Sequence, residues 1–352
     1  MAVSTFSTGN NRSCHHWVSN LNGLIIPEKT GKFTIFTRMN RGRILMDGMH
    51  PFTQLLMLTS LTLIFMFAFT MLGMYLVKPL FGITTIDVVM EQALSNPNGV
   101  AMNPNQVNAL KLLQFMSSLG GFLVPAIFFA LLKFPGGDFL KLRVKYNKWL
   151  LILAAAILVC SGPFISLAYL LNQQLDLPSF LDSVEQSIKA TTDATEKITA
   201  IFLKMRDTHD LFINLIVIAI LPALGEELFF RGCVQQVLKE WFKRIHVAIW
   251  LTAFVFSFIH FEFYGFVPRM LLGALLGYLF YWSGSLWVPI AAHAFVNGIQ
   301  VVLAYLHEHG TIAFDIMSDE PLPGYITLIF TVLAISLLIL FKRMSDRNKF
   351  IF

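Results

Sequence analysis

The chain has 352 residues, of which 56% are hydrophobic and only 13% are charged, and its formal net charge is +5. Soluble domains carry about 25% charged residues, so this composition excludes an ordinary soluble fold and indicates a polytopic membrane protein. The basic residues lie mainly in short loops, which argues against a nucleic-acid partner and makes the lipid bilayer the expected environment.

Eight apolar runs follow a polar N-terminal segment, 1–54, which we expect to be cytoplasmic and partly flexible. A membrane-spanning helix needs about 20 mainly apolar residues. The sequence therefore predicts an all-α membrane protein with about eight transmembrane helices around a polar intramembrane cavity. We place this transmembrane domain at 55–341, before a cytoplasmic tail at 342–352, with helices at 55–77, 109–132, 149–171, 210–230, 246–262, 266–283, 285–305 and 323–341.

Loop charge predicts the orientation of these helices. Basic residues exceed acidic ones in the terminal segments, in 133–148 and in 231–245, whereas 78–108, 172–209 and 306–322 contain more acidic than basic residues. Positively charged loops favour the cytoplasmic side of a membrane. We therefore expect both termini to be cytoplasmic, in the inner (plasma) membrane of a bacterium.

Two adjacent carboxylates, Glu226 and Glu227, lie near the end of the run 210–230. Carboxylates at membrane depth are costly and usually functional. Neighbouring helix residues point about 100° apart, so the two side chains cannot share one role. Because Glu227 and Arg231 are four residues apart and can pair, we predict Glu227 as a structural partner and Glu226 as a catalytic base. The alternative is that both glutamates only solvate a helix end.

Polar residues also interrupt two later apolar runs. His260 stands alone, and such a histidine is more often a hydrogen-bonded packing residue than a catalyst. His293 and Asn297 share one helix face. That pair suits hydrogen bonding to an oxyanion, metal binding or an interhelical clamp. We predict that Glu226, His260, His293 and Asn297 converge around one hydrated point, with the catalytic helices within 210–305.

Two further charges, Glu262 and Arg269, flank a tight turn between the runs 246–262 and 266–283. Opposite charges so placed could either face water or pair with each other. The sequence leaves both arrangements open.

Three short motifs lie in order along the C-terminal half: Glu226-Glu227-x-x-x-Arg231, Phe256-x-x-x-His260 and His293-x-x-x-Asn297. Their order and spacing resemble those of the CPBP intramembrane proteases, a family that includes the CAAX prenyl endopeptidases. The resemblance covers roughly Leu211 to Ile299.

The resemblance implies an endopeptidase that cleaves a peptide or protein substrate, either lipid-modified or embedded in the membrane. It implies that Glu226 and His260 activate water, that His293 and Asn297 stabilise the oxyanion, and that Arg231 supports the site through Glu227. Zinc or another divalent metal, held by Glu226, His260 and His293, and a metal-free glutamate mechanism both stay open.

Two other function classes fit intramembrane Glu and His residues. A proton-coupled transporter uses such groups as a proton relay, and a non-catalytic membrane scaffold would keep them as structural contacts. The sequence contains no inverted repeat across two halves, which argues against many transporter folds. The intact motifs argue against a scaffold.

Overall fold

The computed structural model describes residues 23–27, 33–37, 46, 48–95, 102–134, 137–174, 180, 182–262, 264–313 and 322–348. The chain divides into two compact units, Met1–Asp47 and Gly48–Phe352. In the first unit, strand β1 (Gly23–Pro27) pairs antiparallel with strand β2 (Phe33–Thr37). Most of the predicted segment 1–54 lies outside the described residues.

The second unit is built from helices. In chain order these are α1 (Pro51–Phe81), α2 (Ile86–Ser95), α3 (Pro104–Lys133), α4 (Trp149–Gln173), α5 (Asp182–Leu203), α6 (Thr208–Phe242), α7 (Ile245–Phe258), α8 (Phe266–Ser283), α9 (Trp287–Glu308) and α10 (Gly324–Asn348). The predicted class, an all-α polytopic membrane protein, is confirmed.

The predicted number of eight spanning helices is not confirmed. Within the described part of the chain, six helices are long and apolar enough to cross a membrane: α1, α3, α4, α6, α9 and α10. Helix α7 has only 14 residues, or about 21 Å at 1.5 Å per residue, whereas a bilayer core is about 30 Å thick. Each of the predicted runs nevertheless overlaps a helix.

Helix α6 is much longer than predicted. It runs for 35 residues, Thr208–Phe242, so the predicted boundary at residue 230 is wrong. Residues 233–242 contain neither Gly nor Pro, and the helix continues until Lys243 adopts a left-handed conformation, with φ of 54°. As a consequence, Glu226 and Glu227 lie near the middle of a helix rather than near its end.

The packing places α6 in the interior and α1 at the periphery. In the apolar window of α1 only 6% of the residues are buried, against 44% in α6. Helix α4 packs against α8, α9 and α10, and α7 packs against α8. The main core cluster joins α4, α8, α9 and α10 through Leu150, Ala154, Ile157, Leu158, Leu276, Leu279, Val288, Ala292 and Phe341.

Candidate active site

A buried chain of three polar side chains connects α6 with α9. The Arg231 Nη1 atom donates to Glu227 Oε1 over 2.6 Å, and the same oxygen lies 2.9 Å from His293 Nδ1. The side chains of Glu227 and Arg231 are fully buried. The predicted pairing of Glu227 with Arg231 is therefore confirmed, and Glu227 also binds an imidazole that the sequence did not connect with it.

Arg231 is held from a second side by α8. Its Nη2 atom donates to the carbonyl oxygen of Gly273 over 3.0 Å, and its guanidinium lies 4.8 Å from the centre of the Phe256 ring. One turn further, Gln235 donates to the carbonyl oxygen of Gly277 over 3.3 Å. A Cβ atom at Gly273 would lie 3.1 Å from the Phe256 ring, and one at Gly277 would lie 2.9 Å from Gln235 Oε1. Glycine at both positions lets the side chains of α6 reach the backbone of α8.

The backbone of α6 changes its winding at the site. Residues Glu227–Val234 form a π-helical stretch, and all of them are buried. Such stretches are rare and are frequent at functional sites. Just before this stretch, α6 approaches α3 closely at Gly225, where an added Cβ atom would lie 3.2 Å from Phe122 Cβ. No sequence signal that we recognise predicts this stretch.

Glu226 differs from Glu227 in its contacts. Its side chain is partly accessible, and among the described residues its carboxylate accepts no hydrogen bond. The charged side chains of Glu227, Arg231 and Arg269 lie close enough to act on it. One oxygen of Glu227 is thus bonded to both Arg231 and His293, whereas Glu226 keeps both of its oxygens available.

His260 follows the end of α7, in the turn that leads to α8. Its Nδ1 lies 2.7 Å from the carbonyl oxygen of Phe256. A carbonyl can only accept, so Nδ1 carries the proton and Nε2 keeps its lone pair. The charge of Arg269 acts on His260. The ring is therefore arranged to take a proton, or to bind a metal, at Nε2.

The level of His260 matches that of Glu226 along the α6–α7 pair. At 1.5 Å per residue, Glu226 lies about 24 Å before Phe242 and His260 lies about 22 Å after Ile245. The two helices are joined at Lys243 and Arg244. Phe256, far along α7, contacts Phe230 and Arg231 of α6, so the two helices run in opposite directions. These nearly equal lengths bring the two residues to a similar height.

His293 and Asn297 both contact α6. The Asn297 Nδ2 atom donates to the carbonyl oxygen of Ile218 over 3.4 Å, while His293 contacts Glu227 as described above. The shared face that their spacing predicts is the face that packs against α6. Next to an ionised Glu227, the His293 Nδ1 atom carries a proton, and Nε2 is again the nitrogen left over.

The predicted metal ligands fit a metal by type but not by position. Two imidazole nitrogens and one carboxylate form a set that zinc uses in catalytic sites, and a histidine that binds a metal commonly donates its other N–H to a carboxylate or a carbonyl. The ligand atoms of Glu226, His260 and His293 do not, however, all lie within 4.8 Å of one another. Within the described ranges only Asp207, His209 and Asp210 meet that distance.

That second group lies at the start of α6 and already has a structural role. Asp207 caps the helix by accepting from the Asp210 backbone N–H over 2.9 Å. Arg206 donates to both carboxylate oxygens of Asp210, over 2.9 and 3.2 Å. This bonding raises the pKa of the Arg206 guanidinium, so the pair stays ionised. We therefore interpret the group as a helix cap.

Comparison with known proteins supports the family resemblance that was inferred from the three motifs. Residues 208–299 match the family model described as "Type II CAAX prenyl endopeptidase Rce1-like". The chain is also similar to the "Uncharacterized protein YpbD" of Bacillus subtilis (strain 168), with 28% identity over 103 residues, or 28% of this chain and 47% of YpbD. The matched stretch thus spans about half the length of this relative. No solved structure matches the chain.

The matched segment runs from the start of α6 to Ile299 in α9 and so contains every residue of the candidate site. It includes the buried chain of Arg231, Glu227 and His293 as well as Glu226, His260 and Asn297. Residues 208–299 of this integral membrane protein are therefore similar to the Rce1-like family of type II CAAX prenyl endopeptidases.

Proposed function

We propose that this protein is an intramembrane endopeptidase in which Glu226 and His260 activate water to hydrolyse a peptide bond. The observation that carries the proposal is the contrast between the two glutamates. Glu227 is fixed by Arg231 and His293, whereas Glu226 keeps an unbonded carboxylate beside it. A carboxylate free to exchange a proton, next to a rigid charged framework, is what a general base requires. The family model supports the protease class.

The reaction follows from these positions. Glu226 takes a proton from water while the water oxygen attacks the scissile carbonyl carbon. The tetrahedral species then collapses, and the peptide C–N bond breaks. The leaving amine receives the proton that Glu226 took from water, either directly or by way of His260, whose Nε2 accepts it from Glu226 and passes it on. The products are a carboxylic acid and an amine, and Glu226 returns to its starting state.

Glu227 and Arg231 act as positioning residues. The Glu227 carboxylate fixes the ring of His293 through Nδ1, and Arg231 fixes Glu227 against α8. Asn297 has one amide hydrogen engaged by Ile218 and a second that can reach the oxyanion. His293 can donate from Nε2 only when its ring carries two protons.

A divalent metal such as zinc would be held by Glu226, His260 and His293. When bound, it would polarise the scissile carbonyl and acidify water. The tautomers of both histidines suit this role, and the separation of the three ligand atoms requires their side chains to move closer together.

The membrane setting completes the proposal. With both termini in the cytoplasm of a bacterium, the α6–α7 connection at Lys243 would face the cytoplasm. The substrate would be a peptide or protein anchored in the membrane or modified by a lipid.

The decisive experiment uses the full-length protein in lipid nanodiscs and a defined library of synthetic peptides, with cleavage followed by mass spectrometry. Glu226→Gln should lower kcat/KM by about 10²–10⁴-fold, the usual contribution of a general base. Glu240→Gln is the matched control, because Glu240 lies on the same helix, pairs with Lys133 and has a half-exposed side chain. We expect this control to cleave like the wild type.

Two further arms separate the alternatives. Chelation followed by addition of zinc shows whether activity depends on a metal. A proton-flux measurement on proteoliposomes of the same preparation tests for a transporter. Full activity of Glu226→Gln, or proton flux without cleavage by the wild type, would overturn the proposed function.

A further inference from the structure

An ion pair that belongs to none of the three motifs lies beside the candidate site. Arg269, near the start of α8, donates through Nη2 to Glu262 Oε2. Of the two arrangements that the sequence left open for these residues, the structure shows the ion pair. The two side chains are 23% and 17% exposed. The other terminal nitrogen, Arg269 Nη1, is buried and has no hydrogen-bond partner among the described residues. Guanidinium N–H groups that are buried without a partner are costly, so this one calls for an acceptor.

The pairing of α6 with α8 gives the height of Arg269. Arg231 binds the carbonyl of Gly273, and Gln235 binds the carbonyl of Gly277. Both steps are four residues long, so the two helices run parallel and in register along this face. One turn back along each helix, the residues that correspond are Glu227 on α6 and Arg269 on α8. The charge of Arg269 acts on Glu226 and on His260, in agreement with this position.

Apart from the second amide hydrogen of Asn297 and the buried Arg231 Nε, the site residues named above offer no further permanent donor to a carbonyl oxygen. The N–H of His293 Nδ1 is engaged by Glu227, and one amide hydrogen of Asn297 is engaged by Ile218. His260 uses its N–H on Phe256. Arg269 Nη1 carries its hydrogens at every physiological pH, because a guanidinium does not lose its proton there.

We propose that Arg269 is a substrate-binding residue whose Nη1 donates a hydrogen bond to a backbone carbonyl oxygen of the bound peptide. This inference depends on the proposed peptidase function. Glu262 already balances the charge of Arg269, so the pair is neutral overall. A neutral pair favours the partial charge of a peptide carbonyl over a full carboxylate.

Glu262 and Gly265 position the guanidinium. A Cβ atom at Gly265 would lie 2.8 Å from Glu262 Oε1 and 3.1 Å from Arg269 Nη1. Gly265 therefore leaves the space that the ion pair occupies. Gly265→Ala should displace the pair without changing any charge.

The test combines protein variants with changes in the peptide backbone. The probe is a library peptide that the wild type cleaves, and each of its amides in turn is replaced by a thioamide, whose sulfur accepts hydrogen bonds more weakly. We measure kcat/KM for wild type, Arg269→Lys, Arg269→Gln and Gly265→Ala in nanodiscs. Arg206→Gln is the matched control, because Arg206 also pairs with a carboxylate, that of Asp210, but at the far end of α6.

We expect all three site variants to lower kcat/KM at least tenfold on the normal peptide, while Arg206→Gln leaves it within about threefold. At one peptide position, the thioamide should slow the wild type about tenfold and should slow Arg269→Lys hardly at all. If the thioamide slows wild type and Arg269→Lys by the same factor at every peptide position, the role of Arg269 is overturned. The proposed peptidase function still stands in that case, provided that the wild type is active and Glu226→Gln is inactive. A wild type that cleaves no peptide would overturn the proposed function together with the role of Arg269.

Discussion

The Glu227–Arg231 ion pair allows a quantitative prediction for Arg231→Met. This change removes the bond of 2.6 Å to Glu227, the bond of 3.0 Å to the Gly273 carbonyl and the cation–π contact of 4.8 Å with Phe256. The Glu227 carboxylate would stay buried with only His293 as a partner, since its Oε2 atom already has none among the described residues. Removal of one member of a buried ion pair typically costs about 3–5 kcal/mol. We expect a loss in that range.

A double substitution separates the charge from the packing. In Arg231→Met combined with Glu227→Gln, no unpaired charge is buried, and the amide oxygen can still accept from His293 Nδ1. We expect the double variant to lose only about 1–2 kcal/mol, so the two single effects should be strongly non-additive. The cleavage activity of the double variant should stay low, because the carboxylate that orients His293 is gone.

The assay is equilibrium unfolding in mixed micelles of detergent and dodecyl sulfate, followed by tryptophan fluorescence. The pair Glu185–Lys189, whose lysine is half-exposed, is a fitting control, since it has the same spacing of four residues and the same separation of 2.6 Å. Its double-mutant cycle should give a coupling near zero. A loss below about 1 kcal/mol for Arg231→Met, or additive single effects at Glu227 and Arg231, would refute the reasoning.

Two more predictions concern the scaffold and the orientation. Gly273→Ala should destabilise the protein by about 1–3 kcal/mol in the same unfolding assay, because its methyl group would meet the Phe256 ring. Gly162→Ala is the control and should not destabilise it in this way, because there is open space around Gly162. Equal losses of stability in the two variants would contradict this packing. The orientation can be tested with single cysteines at the exposed positions Lys145 and Thr191, in a chain whose native cysteines are replaced. An impermeant thiol reagent should label Thr191→Cys from outside and Lys145→Cys from the cytoplasmic side. Labelling of both positions from one side would disprove the predicted orientation.

The contacts within one helix or across one turn could be predicted from spacing alone. The pairing of Glu227 with Arg231 follows from their spacing of four positions, and the common face of His293 and Asn297 follows from the same rule. The pairing of Glu262 with Arg269 was one of two open arrangements. Each of these depends on local geometry, which a sequence specifies well.

The boundaries of two helices could not be predicted, for a physical reason in each case. Hydropathy falls at Arg231, which suggests the end of a span, but Glu227 neutralises this charge and lets the helix continue with Arg231 fully buried. The apolar run 246–262 suggests a helix through His260, but α7 ends at Phe258 and Phe261 adopts a φ of 50°. The backbone there leaves helical geometry although Ile259 and Phe261 are apolar.

Contacts between distant helices could not be predicted either. The bond between Glu227 and His293 joins residues 66 positions apart, and the bond from Arg231 to Gly273 depends on a glycine that lets two helices approach closely. Nothing local to either residue indicates its partner. The sequence could name the groups that meet, but the helix packing decides which of them are fixed and which stay free.

That division between fixed and free groups bears on the choice between an enzyme and a structural clamp. Polar side chains that only join helices would be expected to satisfy one another, because an unpaired polar atom in an apolar interior costs free energy. Here Glu227 Oε2, Arg231 Nε and Arg269 Nη1 are buried without hydrogen-bond partners among the described residues. All three belong to charged residues that act on Glu226. Water or a substrate carbonyl can supply the missing partners, and hydrolysis of a peptide needs both of them at this place.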